Sequence, residues 1–415
     1  MKKRYYQIIG EFDPIEFIQK YNPSAYALNE NGESNYILGY TKNDSNIFKI
    51  KTKEHFLKLE LKSEYCFGYI PYEVKNMFLP GATSNNKEIH GIKEASFFYP
   101  EGVVISKNGH LIFYGTADEH QRISTVSSLK IKTLTNKSSI GIIRKAWTEK
   151  NTYLKNVSRI KNHIQNGEIY EMNYCLNYEF SNINKNSFNI YKKLKTKTNA
   201  PFSSKLHIDK LKILSASPER FIKKSDNVLS SQPIKGTIKR GKTAESDLLL
   251  IEQLKNDQKE IAENVMIVDL VRNDLSKIAN KSSVIVKELC KLYSFKTVHQ
   301  LISTVECTVN NKINILKILE ALFPMGSMTG APKLSATDII NEFENFNREV
   351  YSGAIGFVSP NGSFDFNVVI RSIIINTRKN NASIAVGSAI TIKSKAELEY
   401  QECLLKLEAI QSALV

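Results

Sequence analysis

The chain has a single tryptophan among its 415 residues and only five cysteines. Those cysteines, Cys66, Cys175, Cys290, Cys307 and Cys403, are odd in number and far apart, and no C-x-x-C pair occurs. An odd, scattered set without C-x-x-C indicates neither a zinc site nor a disulfide framework, and the usage suits a reducing compartment. No uninterrupted apolar run reaches the roughly eighteen residues of a membrane span. The opening, MKKRYYQIIGEFDPIEF, is basic but has no apolar stretch running into small residues, which argues against a secretion signal. A cytoplasmic location with no membrane partner is the expectation. Internal repeats at 20 to 50 residues and low-complexity tracts are also missing, which excludes solenoids and disordered tails.

What is present is a chain that is 42% hydrophobic, enough for a sizeable core. Its net charge of +15 comes from lysines scattered among Asn and Ile, without a basic block or an aromatic-basic repeat. That pattern reads as a solvated surface rather than a nucleic-acid footprint, with weak steering of an anionic substrate as a further use. The first 120 residues read mostly as strands, and Asn108-Gly109 between two alternating apolar runs marks a hairpin. A polar stretch, 124–139, reads as a connection between a strand-rich region, 1–125, and a main body, 145–415. Tyr153, Val157, Ile160 and Ile164 recur at helical spacing, with Gly167 where a C-terminal cap belongs. Further on, 211–224 and 228–238 read as paired strands, 245–272 as one long helix, and 351–358 and 364–376 as strands around Pro360-Asn361-Gly362. A last helix is expected over 396–413. Strands and helices in this irregular order indicate an α+β fold.

Several residues carry chemistry. Lys235, in QPIKGT, ends a strand at a tight turn, either as a surface lysine or aimed into a cleft. Glu260 and Glu263 share one helical face, and Glu399 and Glu402 repeat the spacing on another helix. Two such pairs suit one hard divalent cation such as magnesium, and they equally suit solvated helix faces. Arg371 sits in FNVVIRSIIIN, which reads as a strand buried on both faces. A buried guanidinium must be paired, with an internal acid or with a ligand carboxylate. FPMGSMTGAPK (323–333) and AVGSAIT (385–391) read as glycine loops, and neither is a nucleotide-binding pattern. Glu219, in SASPERF, is a general acid if partly buried, or else the partner of Arg220 or a lysine. His299 is a further candidate, although a lone histidine among apolar residues is usually core.

Taken together and in this order, SASPERF, QPIKGT, DLVRNDL, FPMGSMTGAPK, YSGAIGF, VVIRS and a final E-x-x-E helix resemble the chorismate-utilising enzymes. The family includes anthranilate synthase component I, aminodeoxychorismate synthase component I, and isochorismate and salicylate synthases. The resemblance is strong from about residue 145 onward and loose before it. It implies one large unit of antiparallel sheets with helices outside, the N-terminal strands joining the same sheet system. Members divide at Lys235: anthranilate synthases resemble PIAGT there, and aminodeoxychorismate synthases PIKGT. In the latter the lysine attacks C2 of chorismate as the 4-hydroxyl leaves, and ammonia then adds at C4 and expels it. Such a lysine must be neutral, so a lowered pKa is expected.

The resemblance further implies that Glu260, Glu263, Glu399 and Glu402 bind Mg2+, directly or through water. The metal would hold the ring carboxylate beside the backbone of Gly236 and Thr237. Tyr351 and Arg371 would hold the enolpyruvyl carboxylate, with the loop at Gly387 closing over it. Glu219 and His299 would assist departure of the hydroxyl. Two departures stand out: Glu171 in IYEMNY, where amino-transferring relatives have glutamine and water-adding ones lysine, and Ala389 where glycine is frequent. The LLES element of tryptophan-regulated anthranilate synthases has no clear counterpart. No cysteine lies in a G-x-C-x-G context, so ammonia would come free or from a separate glutamine amidotransferase subunit. The leading expectation is aminodeoxychorismate synthase component I. Anthranilate synthase component I and a non-catalytic anion-binding relative are the alternatives.

Overall fold

The computed structural model describes residues 3–414 apart from 33–34, 80, 82, 128–142, 182, 184–185, 199 and 297. Its strands form two antiparallel sheets, one of twelve strands and one of ten. The fold is α+β. The larger sheet runs from Arg4–Gln7 through N-terminal strands to Ala25–Asn31. It continues through Phe202–Ile208, Leu211–Ser217, Ser372–Asn376 and Asn381–Ile390 to Glu171–Ser181. The smaller sheet begins at Ile234–Lys239 and Val298–Thr308 and ends on Cys66–Ile70, Ala95–Phe98 and Ile47–Ile50. N-terminal strands therefore lie in both sheets.

Alternation along the strands sorts the core into layers. Ala25, Ala27 and Ile213 of the larger sheet join Phe67, Tyr69 and Phe98 of the smaller one in a shared cluster. Their sequence neighbours Tyr26, Leu28 and Leu214 point the other way, into a second cluster with helices Lys150–Gln165 and Ala396–Gln411. Cys66, Ile70 and Phe97 likewise face outward, with helices Gln258–Ser276 and Ile315–Leu322. A period of two thus puts one face of each sheet against the other sheet and the opposite face under helices.

Local signals hold at several places. Asn108 and Gly109 both have positive φ, +51° and +81°, in the hairpin joining Gly102–Lys107 to His110–Gly115. Gly167, at φ +79°, donates its amide to the Ile164 carbonyl just after helix Lys150–Gln165. The last helix spans Ala396–Gln411. Of the polar connection, 124–127 end a helix, Ala117–Ser127, and the part from 128 lies outside the described residues.

Other expectations are corrected. The long helix is two, Ala244–Lys255 and Gln258–Ser276, because Asp257 caps a new start by accepting the Lys259 and Glu260 amides. The span 211–224 is also broken. Leu211–Ser217 belongs to the larger sheet and Arg220–Ser225 to the smaller, with the chain crossing at Pro218-Glu219. Pro233 similarly separates Val228–Gln232 from Ile234–Lys239. The run around Arg371 is not one strand. Phe364–Val368 lies in the smaller sheet and Ser372–Asn376 in the larger, and Arg371 takes φ +50° at the crossing. Gly387 lies within strand Asn381–Ile390, opposite Cys175, and not in a loop.

A buried ion pair ties these parts together. Arg348 Nη2 and Nε donate to Glu344 at 2.6 and 2.9 Å, and Nη1 and Nη2 donate to the carbonyls of Met328 and Asn173 at 2.6 and 2.8 Å. Glu344 also accepts the Cys175 amide at 2.9 Å. Breaking a buried pair strands its partner's charge, at a cost of about 3–5 kcal/mol. Glu344→Ala is therefore expected to lower the melting temperature markedly, read by circular dichroism. An unchanged melting curve would deny this pair its structural role.

Candidate active site

Lys235 owes its direction to a β-bulge. Lys235 pairs with Leu301 and Thr237 with Gln300, so Gly236 is the extra residue. It adopts φ +82°, which L side chains rarely take. A Cβ there would meet Glu260 Cβ, Leu254 and Leu301 at 3.3 Å, so the bulge sits hard against the helix that carries the acids. Asn264, one residue beyond Glu263, fixes the position by donating to the carbonyls of Lys235 at 3.4 Å and Leu301 at 3.2 Å. The hydroxyl of Thr237 accepts from Gln300 at 3.2 Å.

The lysine is not on the surface. Its side chain is 12% exposed, and its Nζ lies 3.3 Å from Glu171 Oε1 and 3.9 Å from Glu263 Oε2. Burial pulls its pKa down, but the carboxylates of Glu171, Glu263 and Glu219 outweigh burial and raise it above the ordinary lysine value. This corrects the expectation of a lysine kept neutral: without ligands it is an ammonium. Glu171, whose role the sequence left open, is its counterion. The other oxygen of Glu171 is buried without a hydrogen-bond partner among the described residues.

Glu219 and Arg371 meet where the chain twice crosses between the sheets. The Val368 amide donates to the Glu219 carbonyl, and the Ala216 amide to that of Arg371. Glu219 Oε1 accepts from Ser327 Oγ at 2.6 Å. Burial lifts the Glu219 carboxyl to about 7, against the opposing pull of Ser327, Lys235 and Arg371. It can hold a proton near neutrality. Arg371 makes no side-chain hydrogen bond or ion pair to a described residue; burial lowers its pKa, partly offset by Glu219.

The four glutamates sit on the two expected helices, Gln258–Ser276 and Ala396–Gln411. Glu263 and Glu399 are buried, Glu260 is half-buried and Glu402 is exposed. Lys259 Nζ bridges the helices, 3.7 Å from Glu263 and 3.3 Å from Glu399, and Lys406 pairs with Glu402 at 2.6 Å. Among the described residues no three His, Cys, Asp or Glu converge as a ligand set. Glu263 Oε1 nevertheless has no hydrogen-bond donor among the described residues. Burial first, then Glu171 and Glu260, raises the Glu263 carboxyl to about 7 despite Lys235 and Lys259. Glu260 is raised by burial and by Glu402. A cluster short of positive charge, made of hard oxygen donors, fits a divalent cation.

Tyr351 is buried beside Cys175, and Gly387 packs on the same cysteine, since a Cβ at 387 would stand 2.8 Å from Cys175 Sγ. The Gly387 carbonyl accepts from Lys406 Nζ at 2.9 Å. His299 is fully buried, and both ring nitrogens are engaged, with Ser294 Oγ at 2.8 Å and Asp247 Oδ1 at 2.9 Å. The structure places it in a network with Asp247 and Arg240. Sequence reasoning also missed Ser327 and Asn264; Asn264 adjoins a singled-out glutamate, and Ser327 lies inside a motif that was read only for its glycines.

A family profile describing chorismate binding enzymes matches residues 14–412. The chain belongs to the chorismate-binding enzyme family. A rice protein described as a probable chloroplastic aminodeoxychorismate synthase is 39% identical over 387 residues, covering 82% of this chain and 42% of that protein. Anthranilate synthase component 1 of Saccharolobus solfataricus is 32% identical over 360 residues, covering 84% of this chain and 80% of that one. Among solved structures, the menaquinone-specific isochorismate synthase MenF of Escherichia coli superposes with a TM-score of 0.80 at 17% identity, covering 100% and 95% of the two chains. This chain spans 41% and 42% of the lengths of the Arabidopsis thaliana and rice relatives.

The raised Glu219 carboxyl has a measurable consequence. Folded, it titrates at about 7 against an ordinary 4.5, so between these values the fold holds a proton that the unfolded chain has released. Its raised pKa therefore costs nothing below about pH 4.5, and the cost grows to on the order of 1–3 kcal/mol above pH 7. In urea melts from pH 5 to 8, wild-type stability should fall relative to Glu219→Gln. Parallel curves would place the carboxyl in a water-like environment.

Proposed function

We propose that this chain aminates chorismate, converting chorismate and ammonia to 4-amino-4-deoxychorismate as aminodeoxychorismate synthase component I, toward para-aminobenzoate and folate. The observation that carries this reading is Lys235, turned inward by the Gly236 bulge and held between Glu171 and Glu263. A family member that adds its nitrogen directly has no use for a buried ammonium there. The similarity to proteins described as aminodeoxychorismate synthases supports the reading. Anthranilate synthase component I is the second reading, since relatives of that description are also similar, and Lys235 disfavours it.

The residues divide the work by their surroundings. Lys235 must lose a proton before it attacks C2, and Glu171 Oε1 at 3.3 Å is placed to accept it. Glu219, protonated near pH 7, donates to the departing 4-hydroxyl. Arg371, without a side-chain hydrogen bond or ion pair among the described residues, grips the enolpyruvyl carboxylate, with Tyr351 alongside. Glu260, Glu263, Glu399 and Glu402 would hold magnesium, whose charge would offset both their own and that of the ring carboxylate near Gly236 and Thr237. Ammonia comes free or from a separate glutaminase subunit.

The test is turnover of chorismate with magnesium and ammonium by the purified chain, products separated by chromatography. Aminodeoxychorismate is expected, and its formation should stop in excess EDTA and in Glu263→Gln. Glu219→Gln should lower kcat by about 10²–10⁴-fold, the usual worth of a positioned acid. Lys235→Ala and Lys235→Arg should both fail, since guanidinium stays protonated. Anthranilate as the wild-type product, or substantial rescue by arginine, would contradict the reading.

A further inference from the structure

Glu219 and Ser327 have a second role to play, because they also line a cavity of about 20 Å³ whose walls include Ser231, Pro233, Asp274 and Val271. On the order of 10–15 Å³ houses one water molecule where polar partners are present. Glu219, Ser231, Ser327 and Asp274 supply polar atoms, and the remaining walls are apolar. All the lining residues are buried except Val271, on helix Gln258–Ser276, which is half-buried. Val271 is thus the one lining residue that also reaches toward solvent. The space admits a molecule of water's size and little more.

We propose that this cavity holds ammonia on its way to C4 of the substrate, with Val271 at its mouth. The inference rests on the amination reading above and adds where the nitrogen waits. In the first step Lys235 Nζ bonds to C2, the ring double bonds shift and the C4–O bond breaks. The Glu219 proton leaves with that oxygen as water. In the second step ammonia bonds to C4, the double bonds shift back and the C2–Nζ bond breaks, Nζ keeping the electron pair. The new C4 ammonium gives its extra proton to the Glu219 carboxylate, so the acid is restored. Overall, one ammonia enters, one water leaves, and nothing is oxidised or reduced.

The second step is the reverse of the first with ammonia in place of water. A nucleophile at C4 thus follows the path by which the hydroxyl departed, beside Glu219. A water-sized site walled by that same carboxyl is where the nitrogen must be held, close to the base that will take its proton. Asp274 is already ion-paired with Lys333 and Lys277, and the lining beyond Glu219 and the two serines is apolar, so the site favours neutral ammonia over ammonium, whose desolvation cost is far larger.

Two variants at Val271, which does not take part in the chemistry, test this. Val271→Leu should narrow the cavity and raise KM for ammonium chloride about tenfold, with KM for chorismate and the melting temperature nearly unchanged. Val271→Ala should widen it and raise kcat/KM for methylamine relative to ammonia about tenfold, read as the methylated product by mass spectrometry. If aminated product forms but neither the ammonium KM nor the methylamine ratio moves, the cavity holds only a structural water and the inference falls. If the wild type makes no aminated product at all, the amination reading falls and takes the inference with it.

Discussion

A lysine ammonium buried beside two helices of glutamates is the constraint around which the rest is arranged. Such a charge is tolerated in an interior only when it is paired and its donors are used. Glu171 reaches it from the larger sheet and Glu263 from a helix over the smaller one, so the pairing joins the two halves of the molecule. The bulge at Gly236 aims it, and Asn264 holds the backbone of Lys235 and of its strand partner Leu301 just before the bulge. Replacing the small residue, the cap at Asp257 or the amide of Asn264 would each move the same nitrogen. Local backbone geometry and site electrostatics are one problem here.

On the proposed reading, the charge balance of the site would suit an anionic substrate bound together with a cation. Glu171, Glu260, Glu263 and Glu399 crowd a volume served by Lys235 and Lys259. Burial, with the neighbouring carboxylates adding to it, keeps Glu260 and Glu263 raised despite Lys235 and Lys259. Adding a dianionic substrate alone would worsen the imbalance, and adding a divalent cation with it would restore it. Metal and substrate are then expected to bind with mutual help. Arg371, near Glu219 but without an ion pair among the described residues, offers a second anchor at the seam between the sheets, apart from the glutamate cluster.

Much of this was legible in the sequence, and the failures are instructive. Short-range signals with a single physical cause survived: Asn108-Gly109, Gly167 and the last helix. The E-x-x-E pairs were found because helical spacing is local. What failed depended on partners distant in sequence. An apolar run such as FNVVIRSIIIN has no periodicity to reveal that it changes sheets, so Arg371 was placed inside a strand instead of at a crossing. Gly387 read as a loop because small residues look alike in a turn and in a strand pressed against Cys175. His299 lies in a network with Asp247 and Ser294 that its local sequence context did not reveal. The protonation of Lys235 was misjudged for the same reason: burial is inferable from motif context, but the carboxylates that outweigh it come from residues 171 and 263.

The central claim is that this ammonium becomes a nucleophile when substrate and metal arrive. Its most direct test is the mass of the intact chain after mixing with chorismate and magnesium in the absence of ammonia, followed by a peptide digest. The account predicts a transient gain equal to chorismate less one water, located on Lys235. A chain that consumes chorismate on adding ammonium yet never carries such an adduct, at Lys235 or elsewhere, would contradict it.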